Sequence, residues 1–231
     1  MRPTTTNSAA IAGGAVVLAL LFVVLNAAAP SVLADLTVED GVVEYLTAGA
    51  FLLAAVAFGI AGLRRTGRTL WAIPLGLACF LVAGEEVSWG QRILGLGTPE
   101  RLAEINVQGE TNLHNIEGIH GMVRALAVVV LVTLFFVLPL LAERWTPLAR
   151  LNGRVRFPLP PLSAALLILI GIAFMAVPRL LADEISFPLD EVGELFVASA
   201  WLVYAYATWA VQRTHSSAVD TRTSQVAASG A

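Results

Sequence analysis

Two neighbouring stretches gather nearly every residue type that moves a proton or binds a metal. Residues 83–92 read AGEEVSWGQR, and residues 106–120 read NVQGETNLHNIEGIH. The first sets Glu85 and Glu86 side by side at the end of an apolar run, followed by Ser88, Trp89, Gln91 and Arg92. In the second, Asn106, Gln108, Glu110, Asn112 and His114 recur at every second residue. That spacing places five polar side chains on one side of an extended segment. His114, Glu117 and His120 then follow at helical spacing, with Arg124 one turn further. Asn112 suits the N-cap of that helix, because its side-chain oxygen accepts from free first-turn amides.

Imidazole together with carboxylate suits Zn, Mn or Fe. A mononuclear divalent site would draw on Glu86, His114, Glu117 and His120. Glu117 and His120 form one Glu-x-x-His, whereas di-iron bundles use two such pairs and two further glutamates. The alternative is that the histidines are hydrogen-bonding residues at a helix start. In a catalytic reading, Glu86 or Glu85 serves as base or ligand and His114 and His120 as ligands or acid. Arg92 and Arg124 would then anchor an anionic head group through the planar guanidinium fork. Gln91, Asn112 and Trp89 complete the substrate contacts. The matching reaction class is metal-assisted hydrolysis or group transfer on a lipid or lipid-linked anionic substrate. A non-enzymatic reading stands beside it: a transporter, or an assembly partner with a polar outer cap. Ser88 lacks the G-x-S-x-G elbow of a serine hydrolase. All fourteen basic residues are arginine, so lysine chemistry is excluded.

The elements that position these residues are membrane helices. The chain is 57% hydrophobic and 13% charged, against about 25% charged in soluble domains. A hydrocarbon core about 30 Å thick needs roughly 20 apolar residues per helix. Six runs approach that length: 9–29, 41–63, 70–90, 119–141, 162–181 and 191–211. The expectation is an all-α bundle of six transmembrane helices, occupying residues 1–212 as one domain. In the third run Glu85, Ser88 and Arg92 stand at i, i+3 and i+7 on one stripe, so Arg92 can neutralise Glu85 within the helix. Glu86 is turned about 100° away and needs a partner from another helix. A charge in the membrane is costly, less so near the interface, and Trp89 sits at the depth of interfacial tryptophans.

Arginine sets the orientation. Arg64, Arg65 and Arg68 follow the second run, and Arg144, Arg150, Arg154 and Arg156 follow the fourth. By the positive-inside rule these loops and both termini are cytoplasmic, in a multi-pass protein of the cell membrane. Segment 91–118 is then a long extracytoplasmic connection, and such loops are often functional. The polar tail 213–231 is expected to be disordered. Membrane lipid is the expected surrounding, and no nucleic-acid partner is expected. The chain also repeats itself: AAAPSVLAD ends at Asp35 and MAVPRLLAD at Asp183, and DGVVE (Asp40, Glu44) matches DEVGE (Asp190, Glu194). Helices one–two and five–six thus read as a degenerate parallel repeat. Parallel repeats occur in transporters, but those bind near the midplane, where this chain has no ionisable side chain.

The run GEEVSWGQRILGLGTPERLAEINVQGETNLHN resembles an uncharacterised group of bacterial multi-pass membrane proteins. They share a Glu-Glu-x-Ser-Trp-Gly-Gln-Arg block and an Asn-x-Gln-x-Glu-x-Asn-Leu-His-Asn block. The match covers about residues 84–115. It implies a multi-pass membrane fold and brings no activity with it. A zinc hydrolase of the alkaline ceramidase type places its histidines on several helices, whereas His114 and His120 lie on one segment.

Overall fold

A computed structural model describes residues 5–63, 70–91, 93–106, 108–113, 115–182 and 187–229. For residues 5–7, 120, 181–182 and 212–229 only the backbone is described. The described chain is helical: α1 (Thr5–Ala28), α2 (Pro30–Leu36), α3 (Val42–Leu63), α4 (Ala72–Glu86), α5 (Glu100–Ala103), α6 (His120–Val132), α7 (Leu138–Arg144), α8 (Thr146–Val155), α9 (Leu162–Ala182) and α10 (Phe187–Ser229). A π-helical turn, Thr133–Val137, joins α6 to α7 directly ahead of Pro139, which has no amide hydrogen to give the helix.

Among the described residues five helices are long and apolar enough to cross a membrane: Ser8–Ala28, Val42–Leu63, Gly121–Arg144, Leu162–Leu180 and Phe187–Val211. Large apolar side chains stand exposed along them, Leu20, Leu53, Leu126 and Leu169 among them. Such an exterior is stable in lipid and unfavourable in water. The third expected helix is shorter than its apolar run. α4 has 15 residues, about 22 Å at 1.5 Å per residue. It was expected to continue to Gly90, but Ser88, Trp89 and Gly90 take left-handed backbone angles of φ 46°, 56° and 75°, which end it.

α3 packs between α4 and α10, α10 also packs on α9, and α9 carries α1. The close approaches use small residues, as membrane helices do where burial against lipid offers no hydrophobic gain. A Cβ on Gly171 would lie 2.7 Å from the Gly193 carbonyl oxygen, and one on Gly193 2.8 Å from that of Gly171. On α4, Ala72, Gly76, Cys79 and Ala83 are buried at helical spacing. Tyr204 fills the centre, with its ring edge-on to Phe58 at 5.2 Å and to Phe135 at 5.8 Å.

Two sequence readings differ from the structure in detail. Pro30 opens a separate short helix after a break at Ala29, whereas Pro178 lies inside a continuous α9; the two proposed copies bend differently. The tail expected to be irregular continues α10 as helix to Ser229. No proline or glycine occurs between Glu194 and Ser229, so no residue there breaks the helix once the membrane segment has nucleated it.

Candidate functional site

The polar residues collect at the end of the bundle where α3 and α10 begin and α4 ends. The left-handed turn after α4 folds Trp89 back over Gly84, where an added Cβ would meet the indole ring at 2.8 Å. Trp89 Nε1 donates to Glu85 Oε1 at 2.8 Å, and the Leu113 amide donates to Glu85 Oε2 at 2.6 Å. Glu85 therefore has local partners. They are not on the stripe predicted from helical spacing, because Val87 already leaves the helix and Arg92 lies outside the described residues.

Between Gln91 and Ile119 the described residues form a folded loop rather than an extended strand. Asn106 closes it: its Oδ1 accepts from the amides of Gln108 and Glu110 at 3.0 and 3.1 Å. Its Nδ2 donates to the carbonyl and Oδ1 of Asn112 at 2.9 and 2.8 Å. The Asn112 Nδ2 in turn donates to Ser88 Oγ at 3.1 Å and Glu110 Oε2 at 2.8 Å, and Ser88 Oγ donates to Glu110 Oε2 at 2.5 Å. All four side chains are buried. Gln91 holds the rim, accepting from the amide of Thr111 at 2.7 Å and donating to Thr98 Oγ1 at 2.5 Å. Asparagine side chains compete with regular backbone pairing in this way, and Gly109 supplies the left-handed turn at φ 69°.

This loop corrects two expectations. Asn112 caps no helix; it is the buried centre of the loop, and α6 begins at His120 with Ile119 at its N-cap. Glu117 precedes the helix on an exposed turn, so it does not share a helical stripe with His120. Ser88, which lacks the serine-hydrolase elbow, is buried against Glu110. His114 lies outside the described residues, as does the side chain of His120. The loop is pinned further by the Glu117 amide donating to the Ile105 carbonyl at 2.8 Å.

Glu86 faces the other way. It continues the α4 stripe of Ala72, Gly76, Cys79 and Ala83 that packs on α3, at i+3 from Ala83. Its carboxyl lies within electrostatic reach of Glu194, Glu191 and Glu44. Glu191 and Glu194 likewise face Glu44. Four half-buried carboxyls from α3, α4 and α10 thus lie within electrostatic reach of one another in the acidic crevice at this end of the bundle. Glu44 also accepts from the Asp40 amide at 2.7 Å, the reach-back of a capping box displaced by one residue. Gly41 permits that turn: a Cβ there would lie 2.3 Å from the Val38 carbonyl oxygen.

Two arginines stand beside the crevice. Arg124 Nη1 lies 3.6 Å from Asp190 Oδ2, and Arg179 Nη2 bonds the same oxygen. Both are thereby engaged by Asp190, which is buried. Below Glu44, one turn along the buried face of α3, the Thr47 hydroxyl is enclosed without a hydrogen-bond partner among the described residues. Sequence reasoning singled out Glu86, Glu44 and Glu194, but passed over Arg179 and Thr47. Arg179 offered a signal: it follows Pro178 and precedes Asp190 at the same end of the bundle.

Among the described residues no three His, Cys, Asp or Glu side chains stand in a metal-binding group. No family model, curated protein or solved structure matches the chain.

Proposed function

We propose that the chain is a six-span protein of the cell membrane, with α4 as the sixth crossing and both termini on the cytoplasmic, arginine-rich side. We propose further that its outer end binds a positively charged ligand group in the crevice between α3, α4 and α10. One observation carries the binding reading: Glu44, Glu86, Glu191 and Glu194 lie within electrostatic reach of one another from three helices, while the adjacent Arg124 and Arg179 bind Asp190 and reach Glu194 among the four. Like charges held together on rigid helices repel, and membrane depth strengthens the penalty. A cation entering the crevice relieves both. The equivalence of Glu44 and Glu194 in the internal repeat supports a paired acidic site. The same arrangement weighs against an anionic head group, since Arg124 is already engaged. The two sequence blocks of the resembling membrane proteins also behave as one motif here: Ser88 and Gln91 of the first bond Glu110, Asn112 and Thr111 of the second.

The test is thermal unfolding of the purified protein in detergent against a panel of monovalent, divalent and alkylammonium cations. One class is expected to raise the melting temperature, and Glu86→Gln together with Glu194→Gln is expected to remove the rise. A flat response across the panel, or a rise that survives the double substitution, ends the reading. Topology is tested separately by cysteine labelling at Thr66 and Asn152, expected inside, and at Gly97 and Gln108, expected outside. Labelling of position 66 or 152 from outside overturns the six-span arrangement.

A further inference from the structure

The opposite end of the bundle carries a second surface. After α7 the chain turns at Trp145, which leaves helical geometry with φ −114° and ψ 102°, and starts α8. This helix has 10 residues and two unlike faces. Leu148, Leu151 and Val155 fall at i, i+3 and i+7 on one side, with Leu151 52% and Val155 40% exposed to no protein neighbour that covers them. Arg150 and Arg154 stand at i and i+4 on the adjoining flank, both exposed. Arg144 precedes the helix and Arg156 ends it in a left-handed cap at φ 56°. Within Glu143–Arg156 four arginines face a single acid, Glu143.

α8 is also fixed in place. Trp71, just ahead of α4, donates its indole N–H to the Val155 carbonyl at 2.9 Å, and its ring packs edge-on to Phe157 at 5.4 Å. The helix is therefore tied at its C-terminal end to the α3–α4 hairpin and at its N-terminal end to α7. A short basic helix with an apolar face and arginines on its flank matches the arrangement of helices lying in the membrane interface.

We infer that α8 and its flanking arginines form a binding surface for the anionic head groups of phospholipids, with Leu148, Leu151 and Val155 dipping into the acyl region beneath. The occupant follows from charge complementarity and from the apolar face. A soluble anion would satisfy the arginines and leave the leucines in water, whereas a lipid covers both. This surface is independent of the acid crevice, and titration in detergent makes its test independent of orientation.

The experiment uses the full-length protein in detergent, titrated with phosphatidylglycerol or phosphatidylcholine, with bound lipid counted by native mass spectrometry. Phosphatidylglycerol is expected to be retained in preference to phosphatidylcholine. Arg150→Gln with Arg154→Gln is expected to weaken that retention about 25-fold, on the basis of about five-fold per basic residue near the surface. Arg150→Lys with Arg154→Lys should keep most of it, which separates charge from disturbed packing. Three results overturn the inference: equal retention of the two lipids, an unchanged preference in the glutamine variant, or displacement of phosphatidylglycerol by inorganic phosphate alone, which would mark a soluble-anion site.

Discussion

Ser88–Glu110–Asn112–Asn106 and Glu44–Glu86–Glu191–Glu194 are neighbours at one end of the bundle and treat the same functional groups in opposite ways. In the first, each side chain is satisfied by a partner of the complementary kind, down to an asparagine that gives both amide hydrogens and accepts two backbone amides. In the second, carboxyls lie within electrostatic reach of carboxyls, with Arg124 and Arg179 acting on Glu194 among them. A buried polar network in which every member is paired rigidifies the fold. A set of like charges does the reverse, and on the proposed reading a cation from outside completes it. Glu85 and Glu86 divide between the two: Glu85 belongs to the loop, Glu86 to the crevice.

The contrast predicts different losses. The largest is expected from Asn112→Ala, which strands Glu110, Ser88 and Asn106 in a buried setting; about 3 kcal/mol of stability should go, read as a lowered unfolding midpoint in detergent. A loss below about 1 kcal/mol would mean that the loop is not held by this network. Next comes Glu86→Gln. It keeps shape and removes one charge from the crevice, so cation-free stability should stay level or rise by up to about 1 kcal/mol, while cation-dependent stabilisation disappears. If Glu86→Gln destabilises as Asn112→Ala does, the two regions are not different in kind. Gly84→Ala should be milder, at about 1 kcal/mol, since the new methyl displaces the Trp89 ring and loosens its bond to Glu85; indole fluorescence should shift with it. The smallest change is expected from His114→Ala with His120→Ala. On the cation-crevice reading, elemental analysis should find neither chain carrying stoichiometric Zn, Mn or Fe. Stoichiometric metal that vanishes in the double variant would return the catalytic reading to first place.

The helical character, with five described helices long and apolar enough to cross a membrane, was legible because apolar runs of this length have few other uses. The divergence of Glu85 and Glu86 was legible too, because adjacent residues on a helix cannot share a face. The bonding of Glu85 to Trp89 and to the Leu113 amide was not. It depends on a left-handed turn at Ser88 and Trp89, residue types that rarely adopt one, and only Gly90 signalled it. The alternating polar residues of 106–114 imitated a strand, and Gly109 within them was the sign of a turn instead. Which residues would face Glu86 could not be read from either stretch. That depended on α3 seating between α4 and α10, a matter of small residues such as Ala54, Gly76 and Ala83 spread over the chain.

The shortness of α4 has a consequence for the lipid around it. On the six-span topology its 15 residues reach about 22 Å through a hydrocarbon layer of about 30 Å, beside an α3 of 22 residues. Hydrophobic mismatch of that size is accommodated by thinning of the bilayer on that flank. The loop that follows is suited to the depression, since Ile93, Leu94 and Leu96 stand exposed along its outer edge. On that topology the loop is expected to ride partly sunk in the leaflet like a keel, so that thicker membranes press on it while thinner ones set it free.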